Sequence, residues 1–201
     1  MRNLLLQSIA AVLVFGLTAS ADSFDRIKKE LASPGCRKIE FLNTVKSDVF
    51  DVVDSTYGTA VLSPDGRYNV SIGPNQYICD LQHVYSYSQD NNQVVIESTD
   101  SATYSDDEIS FVLRLDDLYK TYVLKPNQSY RLVKKGDAAG DFPDSMTVTI
   151  DSDKLLLKQI EYYDVNDELN TITLIKQDYH AVCKKELFEP DFPDSVERVR
   201  L

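Results

Sequence analysis

From Ile39 onward the chain is a series of short runs in which apolar and polar residues alternate, divided by turn signals too short to hold a crossover helix. Ile39, Phe41, Asn43 and Val45 alternate with Glu40, Leu42, Thr44 and Lys46, the period of a half-buried strand. Further runs span 49–53, 59–62, 68–72, 77–81, 84–87 and 94–97, with Ser63-Pro64-Asp65-Gly66, Gly73-Pro74-Asn75 and Asp90-Asn91-Asn92 between them. Strands joined this way are antiparallel, and six or more predict a strongly curved sheet or a barrel. The meander resumes over 121–124, 130–134, 146–150, 155–163 and 169–177, and residues 196–201 form a last strand. The repeated DFPDS at 141–145 and 191–195 is a Pro turn feeding a strand each time.

Two interruptions are helical. Residues 22–35 place Phe24, Ile27 and Leu31 at helical spacing, with Asp22 or Ser23 as cap and Pro34-Gly35 as terminator. Ser105-Asp106-Asp107-Glu108 forms a capping box ahead of Ile109, Phe111, Val112, Leu113 and Leu115. A second short helix starts there, either as a crossover packed on the core or as a movable cover.

Residues 1–21 carry one cation, Arg2, an apolar core from Leu4 to Leu17, and Ala19-Ser20-Ala21. This is the pattern of a secretory signal peptide, and the apolar run is shorter than the ~20 residues a spanning helix needs. A single mature domain, 22–201, follows. No Cys stands at the cleavage point for acylation, so the mature chain is expected to be soluble. In an oxidising compartment two of Cys36, Cys79 and Cys183 would pair and the third would not; the spacing does not say which.

Lys and Arg number 21 against 32 Asp and Glu, a net charge of -11, which disfavours nucleic acid as a partner. The two histidines, His83 and His180, stand outside any HExxH or HxH spacing, and no GxSxG, P-loop or GxGxxG occurs. Asp106-Asp107-Glu108 and Asp116-Asp117 lack the loop pattern that wraps calcium. No enzyme, metal or cofactor is expected. A secreted antiparallel sheet rich in Tyr, Ile, Val and Leu suits the holding of an apolar ligand.

The order of elements resembles the LolA family of periplasmic lipoprotein carriers over nearly all of 22–201. The likeness rests on the leading amphipathic helix, Phe41-Leu42-Asn43 at the first strand, the stretch from Gly58 to Pro64, and Arg67-Tyr68-Asn69-Val70. It continues through Asp80, Val84-Tyr85-Ser86-Tyr87, Gln93-Val94-Val95, and the closing Phe188-Glu189-Pro190 and Phe192-Pro193 to Val196. Departures are Asp80-Leu81 where the family commonly has Asp-Gly, and Tyr68 and Tyr85 nearest to its Trp positions. Ser63 stands where the family often has an Arg that ties lid to barrel, with Arg67 four residues on.

The resemblance implies an incomplete antiparallel β-barrel of about eleven strands under a helical lid, enclosing a hydrophobic cavity. It also implies acylated lipoproteins as cargo, an inner-membrane ABC-type releasing complex as donor, and an outer-membrane receptor or the outer membrane as acceptor, for a periplasmic monomer. Candidate lining residues are Val70, Ile72, Tyr85, Tyr87, Val95, Met146, Val148 and Ile150. Phe24, Ile27, Leu31, Ile109, Phe111, Val112 and Leu115 are the candidate lid. The competing readings are a periplasmic sensor or adaptor that uses the same shell to bind a protein or lipid, and a hydrolase, for which no nucleophile or acid pair stands out.

Overall fold

The computed structural model describes residues 22–47, 51–99, 110–136 and 142–201. The expected signal peptide, residues 1–21, the expected capping box at Ser105–Glu108, Ile109, and Val49 and Phe50 lie outside the described residues.

Helix α1, Ser23–Leu31, is capped by Asp22, whose carboxylate accepts from the Phe24 N–H at 3.1 Å. Nine residues are too few for a stable isolated helix in water, so its order comes from the face that buries Phe24, Ile27 and Leu31. Next comes an antiparallel meander of β1 (Cys36–Ser47), β2 (Val52–Leu62), β3 (Tyr68–Ile72), β4 (Asn75–Cys79), β5 (His83–Ser88) and β6 (Gln93–Ser98). A 3-10 turn, Ser110–Arg114, and the single-turn helix α2, Leu115–Leu118, lead into the second meander. It comprises β7 (Tyr119–Lys125), β8 (Ser129–Lys134), β9 (Ser145–Asp151), β10 (Leu156–Tyr163) and β11 (Leu169–Ala181). A 3-10 turn at Lys185–Phe188 precedes the last strand, β12 (Glu197–Arg200).

The two meanders join where β1 pairs with β11, giving one sheet in the order β12-β6-β5-β4-β3-β2-β1-β11-β10-β9-β8-β7. Its end strands, β12 and β7, do not meet, so the curved sheet stays unclosed. This is the incomplete, helix-covered barrel implied by the resemblance, with twelve strands where about eleven were expected. The twelfth is β12, which adds to β6 in parallel rather than antiparallel.

One strand is longer than its sequence pattern. Runs 49–53 and 59–62 were expected to be separate, yet β2 is continuous from Val52 to Leu62. Residues 52–57 pair with β1 on one side only, since β3 begins its pairing at Gly58, and they stand largely exposed. Without a buried face they show no alternation. Gly58 itself lies opposite Phe41, whose ring occupies the space a side chain would need: a Cβ there would sit 2.3 Å from the ring. Phe41 is fully buried, so glycine is what this close approach requires.

Alternation then sorts the side chains. One face of the sheet carries Ile39, Phe41, Tyr68, Val70, Tyr130, Leu132, Met146, Val148, Ile160 and Ile172 into a single core with the helix residues Phe24, Ile27, Leu31, Phe111, Val112, Leu115 and Leu118. The Phe24 ring stacks on Tyr130 with centroids 4.6 Å apart. Most of this face is filled by the helices that cover it.

Candidate functional site: the seam between helices and sheet

A cavity of about 330 Å³ opens where the covering helices leave the sheet. Leu31 and Ala32 at the end of α1 form one wall, and Leu62, Ser63, Pro64, Gly66, Arg67 and Tyr68 of the β2–β3 turn form the floor. Phe111, Leu113, Arg114, Asp117 and Phe142 close the other side. Its lining is mostly apolar, with Ser63, Arg67, Arg114 and Asp117 as polar members. Arg67 forks onto Asp65, with N–H donors at 2.7 and 3.0 Å, and lies over the Phe188 ring at 4.8 Å. The Arg67 guanidinium holds the Asp65 carboxyl down to about 2. A smaller void of about 100 Å³ lies alongside, between Lys28, Ala32 and the Val112–Asp117 segment.

The end of α1 beside this cavity is held by Arg37, a residue that no periodicity singles out. It is fully buried and donates to the carbonyls of Leu31 at 3.0 Å and Glu30 at 2.9 Å, and also to those of Gly35 and Ser33. The last carbonyls of a helix have no intrahelical partner, and one planar guanidinium from β1 serves those of Glu30 and Leu31 here. Burial lowers the Arg37 pKa from its ordinary value, and the nearby Glu30 carboxylate opposes that shift. Arg37, rather than Arg67, therefore ties the lid to the sheet.

Other polar ties hold the cover from different sides. Lys28 of α1 reaches Asp116 of α2 at 2.5 Å and Asp25 at 3.0 Å. Burial alone would depress the Lys28 ammonium, but the two carboxylates outweigh it and raise its pKa. The Tyr130 hydroxyl donates to the Asp22 carboxylate, and burial, reinforced by that bond, pushes its pKa up to about 12. Lys135 donates to the Asp116 carbonyl at 2.6 Å.

The disulfide joins Cys36 at the start of β1 to Cys183 just beyond β11, and Cys79 is buried on the helix-covered face. The bridge spans 147 residues, so only the pairing of β1 with β11 could have identified it.

The candidate lining residues fall into two groups. Val70, Met146, Val148 and Ile150 are buried together beneath the helices, with Ile72 half-buried beside them. Val95 shares that side of the sheet, paired with Ser86, but is half-buried outside the cluster. Tyr85 and Tyr87 point the other way: on β5 it is Val84 that enters the main core, while the two tyrosines pack with Phe192, Val94, Ile96 and Val196. The Phe192 ring lies 5.0 Å from that of Tyr87. None of the eight lines the cavity. Of the lid candidates, Phe24, Ile27, Leu31, Phe111, Val112 and Leu115 all sit in the main core, and Leu31 and Phe111 reach the cavity. Tyr68, nearest to a Trp position of the family resembled, lines the cavity, as do Leu62 and Phe142, which no sequence signal marks as lining; Phe142 lies in the DFPDS repeat, whose sequence reads only as a turn.

Neither a protein-family model nor a curated protein matches the chain. Solved structures do. An uncharacterized conserved protein from Thermus thermophilus superposes with a TM-score of 0.50 at 14% identity, over 89% of this chain and 97% of that one. Also similar are LolA superfamily protein NE2245 from Nitrosomonas europaea (TM-score 0.45, 6% identity, 85% and 99% covered) and a DUF1329 family protein from Desulfovibrio piger (0.47, 11%, 83% and 95%). Its strand order and helical cover make it an unclosed, helix-covered β-barrel, a fold it shares with the Thermus thermophilus protein. Among the described residues no helix is long and apolar enough to cross a membrane.

Proposed function

We propose that the protein is a periplasmic carrier that binds the acyl chains of lipoproteins between the sheet and its helical cover, without a catalytic step. In this reading it takes them from an inner-membrane ABC-type releasing complex and delivers them to the outer membrane or a receptor there. The observation that carries the proposal is the apolar cavity at the helix–sheet seam, continuous with a core face that is covered by short helices rather than by a second sheet.

Its size sets the mechanism. At about 330 Å³ the cavity is at the low end of ligand pockets, ~300–1,000 Å³. One chain enters it; more requires the helices to yield. Uncovering Phe24, Ile27 and Leu31 costs on the order of 5–9 kcal/mol at ~1.5–3 kcal/mol per side chain. Burying ten methylenes returns about 8 kcal/mol, equivalent to micromolar affinity if nothing opposed it. The two terms are comparable, so loading is near balance, and cargo passes to any acceptor that offers a better apolar pocket.

The test is titration of purified, delipidated protein with a fluorescent acyl probe, followed by displacement with a diacylated lipopeptide. The reading expects saturable binding that Leu62→Glu, a charge in the cavity lining, weakens at least about tenfold. Absence of probe binding, or binding that Leu62→Glu leaves intact in a folded variant, overturns it.

A further inference from the structure

The two ends of the sheet are treated differently. At one end the chain covers β6 with its own β12, a strand added through main-chain pairing. At the other end β7 pairs only with β8, and among the described residues nothing occupies its outer edge. That edge is seven residues long and exposes Tyr122, Val123 and Leu124, each more than half accessible. An unpaired edge with apolar side chains is a template for another strand.

Charge says which strand. The chain as a whole is at -11, yet between residues 119 and 136 there is no Asp or Glu, and Lys120, Lys125, Arg131, Lys134 and Lys135 all fall there. Lys120, Lys125 and Arg131 are exposed and make no ion pair among the described residues. Tyr122 pairs with Arg131 across the hairpin, so cation and apolar surface are interleaved along the edge. Lysines at an edge, with the irregularity in pairing between Val123 and Lys125, repel a second copy of the same edge. They do not repel an acidic one. The same residues that block self-pairing admit an oppositely charged strand.

We infer that the outer edge of β7 is a docking site for an extended, acidic segment of a partner protein, which adds to the sheet as a further strand. Main-chain hydrogen bonds would supply affinity, Tyr122, Val123 and Leu124 the apolar contact, and Lys120, Lys125 and Arg131 the selection for Asp and Glu. This does not depend on the carrier reading, because the edge lies apart from the cavity lining.

Hydrogen exchange of the full mature chain tests it, with two capped heptapeptides as probes, one alternating Glu with Val and the other alternating Lys with Val. The Glu peptide is expected to slow exchange of the β7 amides not bonded to β8 by about tenfold or more, with an effect that fades at high salt. The Lys peptide is expected to leave them unchanged, and the double variant Lys120→Glu, Lys125→Glu to reverse the preference. The inference falls if neither peptide protects β7 or if both protect it equally. It also falls if β7 becomes protected by self-association as protein concentration rises, or if phosphatidylglycerol vesicles protect it while the Glu peptide does not.

Discussion

Replacing Arg37 by Met keeps most of the buried stem and removes the donors, so it isolates what the guanidinium does for the end of α1. In the native chain that group serves the carbonyls of Leu31, Glu30, Gly35 and Ser33. Hydrogen bonds from a charged donor contribute roughly 1.5–3 kcal/mol each, and buried carbonyls left unmet cost about 1–3 kcal/mol. These do not add, because Ala32 is exposed and water can reach part of the loop. Against them stands the desolvation of the guanidinium, which the variant no longer bears. The net expectation is a loss of about 2–4 kcal/mol, read by urea unfolding as a lower midpoint at unchanged slope. For a domain of this length that lowers Tm by roughly 4–16 °C. Arg37→Lys should recover less than half, since a point-charged ammonium cannot fork across several carbonyls. Exchange of the α1 amides should rise in both variants before global unfolding. An Arg37→Met protein within about 0.5 kcal/mol of the parent, with α1 still protected, would refute the claim that this residue holds the cover.

Three further expectations follow from the packing and the charges. Gly58→Ala should destabilise by about 1–3 kcal/mol, because the Phe41 ring has nowhere to move; denaturant unfolding of Gly58→Ala with and without Phe41→Leu checks this, and the pair should be less than additive. Reducing Cys36–Cys183 should cost up to about 5 kcal/mol by the loop-entropy account for a 147-residue separation, read as a drop in Tm on adding reductant. Tyr130 and Tyr179 are both buried, with pKa values pushed from 10 up to about 12, chiefly by burial. Their folded state holds the proton longer than the unfolded state, so the contribution is complete below pH 10 and lost as pH rises to 12, on the order of 2–3 kcal/mol for Tyr179 and less for Tyr130. Stability that stays flat from pH 10 to 12 would contradict it.

Most strands were legible because their ends are marked. Ser63-Pro64-Asp65-Gly66, Gly73-Pro74-Asn75 and Asp90-Asn91-Asn92 lie at chain reversals, and runs such as 68–72 match their strand. Between Val53 and Thr59 the pattern failed, because an exposed strand buries no face and shows no period. The candidate site was harder to see. Alternation on β5 distinguishes Val84 from Tyr85 and Tyr87 but does not say which set faces the helices; the larger aromatics were chosen, and they face Phe192 instead. The Arg37 cap, the disulfide and the parallel pairing of β12 with β6 all depend on contacts between distant segments, which appear only after the two meanders join at β1 and β11. At Leu81 the backbone adopts a positive φ of 80°, a conformation uncommon for a residue with a side chain, which no sequence period announces.

Photo-crosslinking with a diazirine-bearing acyl chain, mapped by peptide mass spectrometry, tests the carrier account most directly. Labelling should concentrate on Leu31, Leu62, Tyr68 and Phe111 at the helix–sheet seam and disappear when unlabelled diacyl lipopeptide competes. Labelling confined to the Tyr85, Tyr87 and Phe192 cluster, or none above that of a non-binding control protein, would contradict it.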